Sequence, residues 1–133
     1  MKKKGILNSE LARIVAGMGH GDMLVICDSG YPIPHNRPVA DVILTANIPR
    51  LVATVKVVLE ELHIEGAIVA REMQKVSPQI FNELMTILKD VPVKKISHER
   101  FKEFCRTESN ISFVRTGETT KFSNLILIAG VIF

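Results

Sequence analysis

His20 stands between two glycines in Gly19-His20-Gly21-Asp22, and a short apolar run separates it from Cys27-Asp28-Ser29-Gly30-Tyr31-Pro32-Ile33-Pro34. Imidazole is the side chain whose ordinary titration lies closest to neutral pH, so an exposed histidine here suits proton transfer. Glycine on each side permits unusual backbone angles and the close approach of a ligand. The plainer reading of the same residues is a helix-ending turn whose histidine answers the helix dipole. Asp28 also has a plain reading, as a turn-former bonded to its own backbone. Beside an imidazole it would instead raise that ring's pKa, orient it, or accept hydrogen bonds from a ligand's hydroxyls. The pattern predicts that His20 and Asp28 share one crevice.

His98 and Lys102 are four residues apart and project from one face of a helix, where solvated surface is the default reading. His35, in a proline-rich loop, and His63 have no chemical companion. A zinc site drawn from His20, Cys27, Asp28, His98 and Cys105 lacks any HxxxH or CxxC pair, so no metal is expected. Gly17, Gly19 and Gly21 follow a helix and precede a strand, the reverse of a phosphate-binding loop, so no nucleotide cofactor is expected.

The 133 residues fit a single domain spanning 1–133, and 47% apolar with 23% charged residues describes a chain that folds. Met1-Lys2-Lys3-Lys4 is followed by no apolar stretch of signal-peptide type, and no apolar run is long enough to span a bilayer. A cytoplasmic protein without membrane contact is expected. Two lone cysteines then read as reduced and packed. The net charge of +3 is scattered and only 5% of residues are aromatic, so nucleic acid is not an expected partner.

The elements that must position these residues follow from periodicity. Leu11, Ile14, Val15 and Met18 mark a first helix between Asn8 and Gly19, capped by Asn8 or Ser9. Met23 to Cys27 reads as a strand buried on both faces, with Asp28 at its carboxyl end. After a proline-rich loop, a short strand is predicted over Val42 to Thr45. A helix runs from Pro49 to Leu62, with the proline in its first turn. Gly66 to Ala70 is a second buried strand, and Ser77-Pro78 caps and opens a further helix. Val93 to Ile96 is a strand, and Ser97 or His98 opens a helix that buries Phe101, Phe104 and Cys105. Ile111 to Arg115 and Leu125 to Phe133 are β segments joined by a polar loop. Alternating strands and helices predict an α/β layered domain, its mainly parallel central sheet flanked by helices, with ligands beyond the strands' carboxyl ends.

With these residues placed, the chain resembles the D-ribose pyranase family, sugar mutarotases related to the fucose mutarotases. The resemblance runs through Lys2-Lys3-Lys4-Gly5-Ile6-Leu7-Asn8, the His20 and Asp28 segments, Ser97-His98-Glu99-Arg100-Phe101-Lys102, Arg115-Thr116-Gly117-Glu118-Thr119-Thr120, Asn124 and Ala129-Gly130-Val131-Ile132-Phe133. It implies a ring-forming mutarotase fold and the interconversion of β-D-ribopyranose and β-D-ribofuranose without a cofactor. It makes His20 the acid–base group and sets Asp28, His98, Lys102, Phe122, Ser123 and Asn124 against the sugar. Phe122 stands where the family usually has a tyrosine, and Lys121 where it usually has a proline. Tyr31 replaces an aliphatic residue, which raises the idea that its phenol compensates. The resemblance further implies a ring-shaped homo-oligomer, a decamer or octamer, in which the Phe122 to Asn124 loop completes a site partly built by another subunit. A non-catalytic sugar-binding or regulatory protein, or a mutarotase for another sugar such as fucose, are the alternatives.

Overall fold

A computed structural model describes all residues 1–133. Six strands form one sheet: β1 (Met23–Cys27), β2 (Val39–Asp41), β3 (Ile64–Ala70), β4 (Val93–Ile96), β5 (Ile111–Arg115) and β6 (Leu125–Ala129), in the order β2-β5-β1-β6-β3-β4. The pairings β1·β5, β2·β5 and β3·β4 are parallel, while β6 runs antiparallel between β1 and β3. The expected α/β layered domain with a mainly parallel sheet is therefore present, with one reversed strand at its centre.

The helices are α1 (Ser9–Gly17), α2 (Leu51–Leu59), α3 (Arg71–Val76), α4 (Pro78–Ile87) and α5 (His98–Thr107). Strand side chains alternate between two cores, which is why all five residues of β1 are buried. Leu24 and Ile26 pack with Leu11, Leu51, Val55, Met73 and Leu84 of α1 to α4. Met23, Val25 and Cys27 face the other way, against Phe101 and Cys105 of α5, Phe113 and Tyr31. Both cysteines are free and buried, as expected of packed thiols, and burial pushes the Cys105 thiol up to about 11.

Several boundaries differ from the sequence reading. The second strand is Val39–Asp41, not Val42 to Thr45, because Val39 and Ala40 pair with Phe113 and Val114 directly after the prolines end. Thr45 makes only an isolated bridge to Ile48. Pro49 lies before α2, whose N-cap is Arg50. Ser77 does not cap α4 with its side chain; its hydroxyl donates to the Lys121 carbonyl instead. α3 is six residues long, too short to show a helical period. β6 ends at Ala129, leaving Ile132 and Phe133 exposed. The caps at Asn8 and Ser97 form as expected, each side-chain oxygen accepting from the backbone N–H three residues on.

The loop between β5 and β6 is tied down by Glu118, whose side chain is fully buried. Its carboxylate accepts from Arg50 Nε (3.2 Å) and Nη2 (2.9 Å), from Leu51 N–H (3.2 Å) and from the Thr120 N–H and hydroxyl. It thereby caps α2, which has no side-chain cap of its own. Burial alone would raise its pKa, but the bonds from Arg50, Thr120 and Leu51 outweigh burial and hold it down at about 2. A folded pKa below the unfolded one gives stability that is complete above about pH 4.5 and lost as pH falls towards 2. Glu118→Gln should lose roughly 1.5–3 kcal/mol at neutral pH. Urea midpoints taken across this window should also be flatter in the variant than in the wild type.

Candidate functional site

The parallel strands all end at the same edge of the sheet, and most of the residues singled out above collect there. Asp28 follows β1, Asn124 precedes the reversed strand β6, and His98 follows β4. Ile26 and Val69 both pair with Leu125, which brings Asn124 beside Asp28. The Asn124 side chain clasps Asp28 twice: its Oδ1 accepts from the Asp28 N–H at 2.9 Å, and its Nδ2 donates to Asp28 Oδ2 at 3.0 Å. Asp28 Oδ1 accepts from the Gly30 N–H at 3.0 Å, the turn-forming bond of the plain reading. The plain reading of Asp28 as a turn-former holds, and its other carboxylate oxygen accepts from Asn124. Burial raises its pKa above the ordinary aspartate value, opposed by the bonds from Asn124 and Gly30 and by the charge of His98.

His98 opens α5, and its backbone N–H donates to the Glu72 carboxylate of α3 at 2.9 Å. Its ring stands edge-on to Phe122, centroids 5.0 Å apart, and is stacked 6.5 Å from Phe101. Burial, and after it the charge of Lys102, lowers the His98 pKa, so the ring is neutral at neutral pH. Its buried Nδ1 has no hydrogen-bond partner, and neither has the Oγ of fully buried Ser123. Buried polar atoms without partners are uncommon. Lys102, one turn along, is paired with Glu99 at 2.9 Å. Phe122 itself has φ of 60°, a left-handed conformation rare for a non-glycine residue. It turns the chain just before Asn124, whose side chain meets Asp28.

The structure does not bring His20 into this cluster. His20 precedes β1 and Asp28 follows it, so five residues at about 3.3 Å each set them roughly 16 Å apart at opposite edges of the sheet. The expectation of a shared crevice within one chain is thus corrected. Around His20 the backbone is held tightly. Asp22 Oδ2 accepts from the Gly19 N–H, Gly21 donates to the Ala129 carbonyl, and Asn110 Nδ2 donates to the Gly21 carbonyl. Gly21 has φ of 81°, which glycine adopts without strain. The imidazole is exposed, and its Nε2 lies 2.8 Å from Glu65 Oε2.

Tyr31 does not lie in the cluster either. It is 4% exposed, with its ring 6.1 Å from Phe101 and 6.2 Å from Phe113 and its phenol beside Cys105. It packs behind the site, so the idea of a compensating hydroxyl is withdrawn. Sequence reasoning missed Glu65 and Glu72. The first sits outside any motif, and the second belongs to a helix too short to detect.

Comparison with known proteins places this geometry in context. The model of the RbsD / FucU transport protein family matches residues 1–132. The chain is 45% identical to a D-ribose pyranase of Coprothermobacter proteolyticus and 44% identical to one of Petrotoga mobilis, each over the whole of both chains. Among solved structures it is similar to Bacillus subtilis RbsD complexed with D-ribose, at a TM-score of 0.93 and 38% identity, with both chains fully covered. The fucose mutarotase of Streptococcus pneumoniae, solved with L-fucose, shares the fold at a TM-score of 0.79 and 21% identity, over 99% of this chain and 100% of that one.

The Asn124 clasp can be tested alone. In Asn124→Ala the Asp28 carboxyl loses the bond that most opposes burial, so its titration should move further upward, read from its carboxyl carbon shift. Leaving the Asp28 N–H without its acceptor should also lower stability by about 1–3 kcal/mol in urea.

Proposed function

The chain belongs to the RbsD / FucU transport protein family, and from that membership we propose that it is a D-ribose pyranase, an isomerase interconverting β-D-ribopyranose and β-D-ribofuranose. The observation that carries this reading is identity of 45% over the full length with a protein of that name. The fucose alternative has weaker support, since the fucose mutarotase is 21% identical while the structure holding D-ribose is 38% identical.

Opening a cyclic hemiacetal requires a proton on the ring oxygen and loss of one from the anomeric hydroxyl. The C1–ring oxygen bond breaks, its electron pair goes to oxygen, and the aldehyde forms. The 4-hydroxyl then attacks C1, gives up its proton and closes the five-membered ring. His20 is the group that exchanges protons with the ring oxygen. Asp28 and the neutral ring of His98 accept from sugar hydroxyls, Asn124 and Ser123 complete the polar surface, Lys102 donates, and Phe122 packs against a sugar face. No step needs a cofactor. Hemiacetals open unaided in water, so the roughly 10²–10⁴-fold supplied by one well-placed acid–base group is sufficient.

His20 and the sugar-holding cluster lie at opposite edges of one sheet, so a complete site requires two subunits. We infer a head-to-tail ring, a decamer or octamer, in which His20 of one subunit meets Asp28, His98 and the Phe122 to Asn124 loop of the next. The exposed apolar side chains Leu7, Leu44, Ile48, Ile132 and Phe133 supply surface for such contacts. A cytoplasmic location fits this role. No helix is long and apolar enough to cross a membrane.

Saturation-transfer NMR on D-ribose tests the chemistry. His20→Ala should bind ribose without accelerating exchange, whereas exchange at the wild-type rate would sink the catalytic reading. Tyr31→Phe should leave the rate unchanged, because its hydroxyl is buried behind the site. Mixing inactive His20→Ala with inactive Asp28→Asn subunits, then reassembling them at equal amounts, should restore about a quarter of the sites in a head-to-tail ring. Absence of any recovery would show that each site is built from one chain.

A further inference from the structure

Strand β3 is irregular where it begins. Ile64 pairs with Ala129 and Gly66 with Ile128, so two steps along β3 oppose one step along β6 and Glu65 is the extra residue of a β-bulge. A bulge re-aims the side chain it carries, and bulges concentrate beside active sites. Here the bulge turns the Glu65 carboxylate across the end of β6 to the His20 imidazole, with Oε2 and Nε2 2.8 Å apart. Two further features hold this arrangement. Gly130 donates to the His63 carbonyl, and a Cβ placed on Gly130 would lie 3.1 Å from the Glu65 Cβ. Only glycine at 130 leaves Glu65 its place without displacement.

We propose that Glu65 is a positioning residue for His20, fixing the ring orientation and its tautomer. The proposal rests on the reading of His20 as the acid–base group. A carboxylate accepts only, so the neutral ring must carry its hydrogen on Nε2 to meet Glu65. This leaves Nδ1 as the nitrogen that works on the sugar. In the opening direction the imidazolium, with hydrogens on both nitrogens, passes its Nδ1 proton to the ring oxygen as the C1–oxygen bond breaks, and the anomeric hydroxyl releases its proton to water as the carbonyl forms. The ring is left neutral, with Nε2–H still held by Glu65. When the 4-hydroxyl attacks, its proton returns to Nδ1, and the carbonyl oxygen regains one from water.

Side-chain nitrogen–proton correlation spectra, taken at alkaline pH on the assembled protein, report the His20 tautomer directly, and ribose exchange kinetics report the rate. The wild type should show the Nε2–H form. Glu65→Ala should give a mixture of tautomers and lower kcat roughly 10- to 100-fold, the usual cost of losing an orienting partner, with ribose affinity unchanged. Glu65→Gln, whose amide oxygen still accepts from Nε2, should recover the tautomer and most of the rate. Gly130→Ala, which touches neither side chain chemically, should shift both readouts towards those of Glu65→Ala. A wild-type tautomer and rate in Glu65→Ala would overturn the proposal, as would equal losses in the Gln and Ala variants. Exchange persisting in His20→Ala would instead defeat the underlying assignment of His20, a separate outcome.

Discussion

The buried Glu118 carboxylate is the contact on which the edge carrying Asp28, His98 and Asn124 depends. It is taken out of water entirely, a cost that only a full set of donors can offset. Those donors come from Arg50 and Leu51 at the start of α2 and from Thr120 in its own loop. Its carbonyl also accepts from the Ser29 N–H, directly after Asp28. Thr116 donates its hydroxyl to the Cys27 carbonyl. The chain from 116 to 120 is thereby stitched to the end of β1, and the short remainder delivers Asn124 onto Asp28. Gly117 allows the closest approach, since a Cβ there would lie 2.5 Å from the Thr45 carbonyl oxygen.

The reversed central strand explains how one sheet serves two different ends. Because β6 runs against β1 and β3, its first residue adjoins the carboxyl ends of its neighbours and its last adjoins their amino ends. Asn124 is therefore delivered to Asp28, while Ala129 and Gly130 reach the His20 turn and the Glu65 bulge. A parallel strand in the same place would put its leading loop at the other edge. The rigid core between the two edges, buried on both faces, fixes their separation at one strand length and gives neither edge freedom to reach the other.

Much of the fold was legible because it rests on long apolar periods. β1 and β5 appear where short apolar runs predict strands, and four of the five helices appear where Leu11 to Val15, Leu51 to Val58, Ile80 to Leu84 and Phe101 to Cys105 recur at helical spacing. What escaped was short or tertiary in origin. α3 offers six residues and one buried side chain, so no period can form. β2 is defined by its partner β5 rather than by its own composition. Asp28, Asn124 and His98 lie together at one end of the sheet. The separation of His20 was hidden, because closeness to Asp28 in sequence says nothing about which side of a strand's length each residue occupies. Glu65 was hidden for the same kind of reason: a bulge is a mismatch between two strands 60 residues apart and leaves no mark on either one.

Phe122 brings an aromatic ring to the polar cluster without a hydroxyl. Its ring meets the His98 imidazole edge-on at 5.0 Å and contributes to the apolar surroundings that keep that ring neutral. A tyrosine at 122 would add a donor and acceptor, but the backbone turn that aims Ser123 and Asn124 comes from the left-handed conformation at this position, not from the phenol. The apolar wall and the turn are both retained by phenylalanine. In the proposed reading the proton moves through His20 and the sugar's hydroxyls meet the polar cluster, so what position 122 supplies is a ring face and a turn, and neither needs a phenol.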